Sequence, residues 1–226
     1  MNLRNTHGRM DGLVGAYRGV LPPTICSAVE IIEQSWTDEA LRRKIFWTKE
    51  SAMATVENGN SVFRLTEEFD DNLIFQNIKE ATYQLSRKRM YIPEDKDAIK
   101  RITDSVEGIT FHHLKLEGGN ERHSYFRIDT AKSSLLNASQ RHLAEICYGR
   151  GNKLEKNLEN FNKVGIKEIR FYVLNPTYVG NHVKEGSALV RACRLGNSKY
   201  RSMFFAGDSN VTDCSVSLRG VHPLLK

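Results

Sequence analysis

The stretch that decides the fold of this chain runs from residue 187 to residue 222 and reads SALVRACRLGNSKYRSMFFAGDSNVTDCSVSLRGVH. It contains no Glu, Gln or Trp, and between residues 197 and 215 it consists largely of Asn, Ser, Tyr, Arg, Gly, Asp, Thr and Cys. A few apolar residues, such as Phe204 and Val211, interrupt these polar ones. Because a polar group buried without a partner destabilises a fold, we expect the apolar residues to anchor this segment and the polar residues to face solvent.

The chain after Asn175-Pro176 is predicted to contain strands and no helix. Polar turns with glycine separate three apolar runs that we predict to be strands, at residues 189–195, 200–205 and 214–221. A surface rich in Tyr, Ser, Asn, Gly and Arg is similar in composition to an antibody paratope, where Tyr and Arg supply contact area and the small residues adapt their hydrogen bonds. The composition therefore indicates a binding surface.

Helical periodicity dominates the N-terminal part of the chain. Pro22-Pro23-Thr24 opens a helix whose apolar residues Ile25 and Ile32 recur at helical spacing. Gly59 and Gly108 are predicted to end two later helices. We predict these further elements: helices at residues 37–45, 48–58, 70–88 and 99–106, and a short strand at residues 61–65.

Strands and helices alternate from Ile109 onward. The turn sequence Gly118-Gly119-Asn120 predicts a hairpin. We predict strands at residues 109–117, 122–129 and 166–174, and helices at residues 131–148 and 153–164. The predicted fold class is α+β, with a mainly helical region at residues 1–107 and a second region at residues 108–226; a single continuous domain is the alternative.

The bulk composition is that of a globular protein with a basic balance. The chain has 226 residues, 40% of them hydrophobic and 27% charged, with a formal net charge of +6. No apolar run is long enough to span a bilayer, and the N-terminal residues lead into no apolar segment. We therefore expect synthesis in the cytoplasm without a signal peptide and no membrane insertion, with a virion or a cell surface left open as the final location.

The basic residues and the cysteines point to no particular chemistry. The densest basic runs, Arg42-Arg43-Lys44 and Arg87-Lys88-Arg89, are short and typical of solvated helix faces, so a nucleic acid is not the expected partner. No two cysteines have the short spacing that zinc ligation needs. We predict free and mostly buried thiols at Cys26, Cys147, Cys193 and Cys214.

Several short motifs near the C-terminus carry a family resemblance. They are YVLNPTYV at residues 172–179, Glu185-Gly186-Ser187-Ala188, Arg191-Ala192-Cys193 and the closing Leu218-Arg219-Gly220-Val221. Together with the polar stretch between them, they resemble the C-terminal end of the variable proteins of diversity-generating retroelements, of the archaeal and archaeal-virus kind. The resemblance covers about the last sixty residues, roughly a quarter of the chain.

The resemblance implies a fold, a site and a kind of partner. Such proteins display diversified residues on a C-type lectin fold, so residues 108–226 are expected to form a C-type-lectin-like domain whose exposed variable face lies at residues 187–222. Error-prone copying of adenines in AAY codons yields most residue types found at 197–215, and only Lys199 and Met203 depart from that set. The implied diversified ligand-contacting residues are Asn197, Ser198, Tyr200, Arg201, Ser202, Gly207, Asp208, Ser209, Asn210, Asp213, Cys214 and Ser215. The implied scaffold residues are Phe204, Phe205, Val211, Leu218, Arg219 and Val221.

The expected ligand is a macromolecule, namely a protein on a cell surface, and no cofactor, metal or catalytic residue is expected. Sugar-binding C-type lectins hold calcium around a Glu-Pro-Asn or Gln-Pro-Asp turn. The similar turn here, Leu174-Asn175-Pro176-Thr177, lacks the first carboxylate or amide, and a hard cation needs several oxygen ligands together. Calcium-dependent sugar binding is therefore not expected, and the oligomeric state is left open.

Three alternative functions remain. Arg18, Thr48, Ser51 and Glu185 resemble the NAD-binding and catalytic residues of ADP-ribosyltransferases, although Glu185 lacks the second acidic or amide residue of that motif. A nuclease site around one metal ion would use His112-His113, Asn137 and His142, but the two adjacent histidines would point to opposite faces of a strand. The third alternative is a basic nucleic-acid-binding protein, whose affinity would fall steeply with salt.

Overall fold

An eight-stranded sheet organises the chain in the computed structural model, which describes residues 24–34, 45–66, 96–197 and 202–209. The strand order is β3-β2-β1-β7-β8-β6-β5-β4, and all neighbours are antiparallel except β6 and β8. The strands are β1 (Ile45–Glu57), β2 (Asn60–Thr66), β3 (Ile109–Thr110), β4 (Glu117–Gly119), β5 (His123–Asp129), β6 (Glu168–Leu174), β7 (Ala188–Asn197) and β8 (Ser202–Ser209).

Five α-helices and two short 3-10 helices accompany the sheet in the described ranges. The α-helices are α1 (Ile25–Gln34), α2 (Lys96–Ser105), α3 (Ala138–Tyr148), α4 (Asn152–Lys163) and α5 (Pro176–His182). The 3-10 helices are Phe111–Leu114 and Ser133–Leu135. Helices and antiparallel strands therefore combine in an α+β architecture, which confirms the predicted fold class.

One face of the sheet, the core face, packs against α1, α3 and α4. Phe126 of β5 and Phe171 of β6 stack with their ring centroids 4.7 Å apart, and both are fully buried. Ile32 of α1, Tyr148 of α3 and Phe161 of α4 belong to the same buried cluster. The strands alternate between this face and the opposite one, so the residues next to Phe126 and Phe171 lie on the other side of the sheet.

The opposite side of the sheet, called the outer face below, is covered by a helix over part of its width. Ile99 and Ile102 of α2 pack on Met53 of β1 and on Ala188 and Val190 of β7, and these five residues form a second buried cluster. Strand β1 is therefore covered on both sides, by α1 and the rest of the core on one face and by α2 on the other.

Most of the predicted elements are confirmed with small shifts in their bounds. The structure contains the helix opened at Thr24, the helix through Ile99, the strands β2, β5, β6, β7 and β8, and the helix α4. Helix α3 begins at Ala138 instead of residue 131, because Asn137 caps it: its side chain accepts from the backbone N–H of Gln140, whose side chain accepts from the N–H of Asn137.

The predicted helix at residues 48–58 is wrong, because these residues form most of β1. Residues 50–55 are all buried, since β1 lies between β2 and β7 with both faces covered, and a strand buried on both faces shows no alternation of polar and apolar residues. Asn58 and Gly59, with φ of 50° and 77°, form a two-residue hairpin turn to β2. Gly59 is thus a turn residue and ends no helix.

The predicted strand at residues 109–117 is interrupted by a 3-10 helix at Phe111–Leu114. Phe111 and Leu114 are both buried, and their spacing of three places them on one side of a 3-10 turn, whereas a strand would place them on opposite faces. Gly108 also differs from its predicted role, because α2 ends at Ser105. A Cβ at Gly108 would lie 2.5 Å from Val62, so this glycine permits close packing.

The prediction of no helix after Asn175-Pro176 is wrong as well. Asn175 is the N-cap of α5, since its side-chain oxygen accepts from the backbone N–H groups of Thr177 and Tyr178. Pro176 occupies the first helical turn, where its fixed φ fits and its missing N–H is not needed.

The remaining predicted elements lie outside the described residues or bear on the domain division. Three predicted elements lie outside the described residues: the helix at 37–45 except for its last residue, Ile45, the helix at 70–88 and the strand at 214–221. The division near residue 107 stays a prediction, and β1 and β2 pair in one sheet with β7, which favours the continuous alternative.

Candidate ligand-binding face

Strand β8 holds part of the predicted variable face between two other strands. It pairs with β7 on one side and with β6 on the other. Five of the predicted contact residues lie in β7 and β8: Asn197, Ser202, Gly207, Asp208 and Ser209. The others lie outside the described residues: Ser198, Tyr200, Arg201, Asn210, Asp213, Cys214 and Ser215.

A bulge separates the two ends of β8. Ala192 pairs with Ser209 and Arg194 pairs with Ala206, so β8 has one residue more than β7 across this interval. Pairing with β6 extends as far as Ala206 opposite Tyr172. Gly207 and Asp208 therefore lie in the bulge and beyond the last paired residue of β6, at a kind of position where bulges redirect side chains next to binding sites.

A partly exposed row next to β8 is formed by alternate residues of β5 and β6. Tyr172 lies opposite Tyr125, and Arg170 lies opposite Arg127. On β8 the register positions next to Tyr172 and Arg170 are those of residues 206 and 204. Since paired residues share a face, the row continues from β5 through β6 to the positions of Phe204 and Ala206 on β8. Neither is a predicted contact residue, but Gly207 and Asp208 follow directly in the chain.

The aromatic rings in this row contact one another. The ring centroids of Tyr125 and Tyr172 are 5.2 Å apart, and those of His123 and Tyr172 are 5.5 Å apart in an edge-to-face arrangement. The guanidinium carbons of Arg127 and Arg170 lie 5.8 and 5.6 Å from the centroid of the Tyr125 ring. Two cations thus flank one ring at cation–π distance.

Carboxylates pair with both guanidinium groups. Arg127 Nε lies 2.9 Å from Glu117 Oε2, and its Nη1 lies 3.3 Å from Glu168 Oε2. Arg170 Nε lies 2.7 Å from Glu168 Oε1, and this hydrogen bond, followed by one with Tyr172, raises the pKa of Arg170. The side chains of Arg127 and Arg170 remain 47% and 42% exposed, so a ligand can reach them.

Gly118 fixes the place of the Tyr125 ring. Its φ is +31°, and a Cβ at this residue would lie 2.8 Å from the Tyr125 hydroxyl oxygen. The tyrosine therefore lies directly over the backbone of β4, and a side chain at Gly118 would displace it.

We refer to Tyr125, Tyr172, Arg127, Arg170 and Glu168 as the tyrosine–arginine cluster. Sequence reasoning missed it, because it concentrated on the composition of the tail. The signal was the alternation in HSYFRID at residues 123–129 and EIRFYVL at residues 168–174, where every second residue is polar or amphipathic.

The Asn175-Pro176 turn has a structural role. The side-chain oxygen of Asn175 caps α5, and its Nδ2 donates to the carbonyl oxygen of Asn120 at 3.0 Å. Both ends of the amide are thus engaged in holding α5 against the β4–β5 turn. Within residues 24–34, 45–66, 96–197 and 202–209, no group of three or more His, Cys, Asp or Glu side chains is placed to hold a metal ion.

The residues of the ADP-ribosyltransferase alternative do not meet in one place. Thr48 and Ser51 are buried in β1, and the Thr48 hydroxyl donates to the carbonyl oxygen of Cys193 at 3.4 Å. Glu185 is exposed, and its Oε1 accepts from the backbone N–H of Asn58 at the far end of β1. Six residues of extended strand, 52–57, separate Ser51 from Asn58, a span of roughly 20 Å. Arg18 lies outside the described residues.

The residues of the nuclease alternative have structural partners. His112 and His113 lie in a 3-10 helix and not on a strand, with their rings in contact at 4.0 Å. Asn137 caps α3 and donates to the carbonyl oxygen of His113 at 2.9 Å. His142 lies 3.8 Å from Glu107. Asn137 therefore has a structural role as the cap of α3.

The predicted free thiols are confirmed where the structure describes them. Cys147 and Cys193 are buried, Cys26 is half-buried, and none of the three is in a disulfide. Burial raises the pKa of the Cys147 thiol well above its ordinary value. The thiol of Cys26 donates to the carbonyl oxygen of Ile146 at 3.3 Å. Cys214 lies outside the described residues.

Comparison with known proteins identifies the fold. A solved structure, described as "Accommodation of massive sequence variation in Nanoarchaeota by the C-type lectin fold", superposes on this chain with a TM-score of 0.56 and 13% sequence identity, over 85% of this chain and 88% of that chain. The chain has a C-type lectin fold. No protein-family profile matches the sequence, and no curated protein matches it. Among the helices of the described ranges, none is both long and apolar enough to cross a membrane.

Proposed function

We propose that this chain is a ligand-binding protein whose C-type lectin fold displays a diversified surface at residues 197–215, produced by a diversity-generating retroelement. Its partner is a macromolecule, namely a protein on a cell surface, and the chain is carried on a virion or a cell. No catalytic step belongs to this function.

The placement of β8 is the observation that carries the proposal. The part of the paratope-like segment that forms β8 lies between two strands, β6 and β7, whose core-face residues Phe171 and Leu195 are fully buried. A strand held on both sides keeps its backbone fixed while residues on its exposed positions change. The similar Nanoarchaeota structure is described as one that accommodates massive sequence variation, which supports the same use of the fold here.

The physical mechanism is recognition by a preorganised surface. Binding costs less entropy when the contacting residues are already held in place, so a rigid framework converts a change of side chain into a change of partner. The bulge at Gly207 and Asp208 places two of the proposed contact residues where β8 no longer pairs with β6. Side chains at such a position change with little effect on the sheet.

Sequencing of the gene in many related isolates tests the proposal. We expect substitutions to concentrate at adenine-containing codons for residues 197–215, beside a near-copy of that segment and a reverse transcriptase gene. Codons of core residues, such as Phe171 and Leu195, serve as the internal control and are expected to stay constant. Uniform variation along the chain, with neither neighbouring feature, would refute the diversified display.

A further inference from the structure

The tyrosine–arginine cluster has the features of an anchor for a binding partner. Tyr and Arg dominate the energetics of protein interfaces, because each brings a large contact area and specific polar groups. Here the rings of Tyr125 and Tyr172 already contact each other, and two guanidinium groups flank Tyr125. The groups that a partner would contact are therefore ordered before binding, which lowers the entropy cost of association.

The charges of this cluster show which kind of partner it fits. Arg127 is paired with Glu117 and Glu168, and Arg170 is paired with Glu168. Asp129, opposite Glu168 on the neighbouring strand, adds a further exposed carboxylate. A phosphate backbone would have to displace these carboxylates and would be repelled by them. The two guanidinium groups and three carboxylates leave the patch close to neutral with one negative charge in excess, which suits an uncharged protein surface better than a polyanion.

The position of the cluster connects it to β8. The register places Ala206 and Phe204 of β8 directly beside Tyr172 and Arg170, and the proposed contact residues Gly207 and Asp208 follow Ala206 in the chain. Adjacent strands lie about 4.8 Å apart, whereas a standard protein interface buries roughly 800 Å² on each partner. One partner that contacts β8 is therefore wide enough to cover the cluster as well.

We propose that Tyr125, Tyr172, Arg127 and Arg170 form a constant anchor that binds an uncharged patch of a protein partner, next to the variable strand β8. This inference rests on the proposed function and assigns different roles to the two parts of the site. The anchor contributes affinity that is common to all variants, and β8 distinguishes one partner from another.

The test uses a display library of short cyclic peptides of random sequence, selected on the full-length chain. Selected peptides are synthesised, and their dissociation constants are measured by calorimetry against the wild type, Tyr125→Ala and Tyr172→Ala. We expect each substitution to weaken binding about tenfold or more. The matched control is Lys100→Ala with Asp104→Ala, an exposed ion pair on α2, for which we expect less than about a twofold change.

Salt and nucleic acid distinguish the class of partner. Peptide affinity is expected to change less than about threefold between about 50 and about 500 mM salt, because the peptide patch is uncharged and the cluster is close to neutral. Peptides rich in Asp and Glu with steep salt dependence would overturn the proposal. So would tight binding of single-stranded oligothymidylate that Tyr125→Ala and Tyr172→Ala abolish.

Further variants separate the anchor from the variable strand and from misfolding. Tyr125→Phe and Tyr172→Phe keep the rings and are expected to retain most of the affinity, and thermal melts confirm that the Ala variants fold. Peptides that lose affinity with Asp208→Ala but not with the Tyr variants would overturn the anchor and leave the proposed function intact. Peptides that depend on the Tyr residues and ignore every β8 substitution would support the anchor and count against β8 as the contact surface.

Discussion

The two halves of the outer face use similar residues for different purposes. On the half formed by β1, β2 and β7, helix α2 covers the sheet, and Arg64 is paired with Glu57 while only 5% exposed. On the half formed by β5 and β6, Arg170 is paired with Glu168 and stays 42% exposed. Both halves thus contain an Arg–Glu pair, and what covers the pair decides its role.

The buried pair is part of the architecture around α2. Arg64 Nε donates to the carbonyl oxygen of Val106, just after α2, and its Nη2 donates to Glu57 at 3.0 Å. Its Nη1 also donates to the Thr55 hydroxyl at 3.0 Å. Arg64 therefore joins the end of α2 to β1. In the exposed half, the same chemistry orders side chains at the surface, where a partner can contact them. The difference separates the part of the sheet face that supports α2 from the neighbouring part to which we assign recognition.

The largest expected effect comes from weakening the cover of the buried half. Ile102 is 1% exposed in the cluster with Met53 and Val190. Ile102→Ala is expected to lower the free energy of unfolding by about 2–4 kcal/mol, because it leaves a cavity under α2. Urea unfolding measures this change. Leu135→Ala, at a residue 72% exposed, is the control, with an expected change under about 0.5 kcal/mol. Equal effects of the two substitutions would contradict the role assigned to α2.

The ion pair between buried Arg64 and Glu57, whose side chain is 31% exposed, is expected to give a smaller, pH-dependent effect. Burial would raise the pKa of Glu57, but hydrogen bonds from Arg64 and Thr55 outweigh it and hold that pKa below the usual range. Glu57→Gln leaves Arg64 buried without its carboxylate and is expected to cost about 1–3 kcal/mol at pH 7.

The pH dependence follows from the lowered pKa. The contribution of Glu57 is fully present above the unfolded pKa of a glutamate, about 4.3, and is lost as the pH falls through the lower folded pKa. The difference in unfolding free energy between wild type and Glu57→Gln should therefore shrink when urea unfolding is repeated below about pH 4. A difference that persists unchanged in acid would rule out the ionised carboxylate as its source.

The same substitution in the exposed half sharpens the comparison. Glu168→Gln removes the carboxylate that contacts Arg127 and Arg170, yet we expect it to change the free energy of unfolding by less than about 1 kcal/mol, because exposed ion pairs contribute little. Urea unfolding of this variant beside Glu57→Gln compares the two pairs directly. A cost for Glu168→Gln as large as that for Glu57→Gln would mean that the cluster is structural.

The sequence predicted the helices and strands with a clear period and missed those without one. The helical spacing of Ile25 and Ile32 identified α1, and the Gly118-Gly119-Asn120 turn identified β5. Strand β1 shows no alternation, because both of its faces are covered, and its Ala and Met residues favour helix. The prediction overlooked two local signals. Asn58-Gly59 is typical of a hairpin turn, and Asn175-Pro176 is typical of the start of a helix, here α5.

The candidate site was only partly accessible to sequence reasoning. Composition and motifs pointed to residues 197–215 and to the C-type lectin fold, which is confirmed. The tyrosine–arginine cluster brings together β5 and β6, which are more than forty residues apart in the chain, and only the register places Tyr125 opposite Tyr172. Tertiary packing likewise decides which half of the outer face is covered by α2. Local patterns carry no signal for it.

The most direct test of the display surface is the melting temperature of a combined variant. Asn197, Tyr200, Arg201, Asp208 and Asn210 are replaced together by Ala in the full-length chain. If these residues contact ligand and not the core, the melting temperature is expected to stay within about 4 °C of the wild type, since about 1 kcal/mol corresponds to roughly 2–4 °C in a chain of this size. Ile102→Ala, measured in parallel, shows the shift that a structural residue produces. A fall of about 10 °C or more in the combined variant would mean that the segment is part of the scaffold, and would contradict the account.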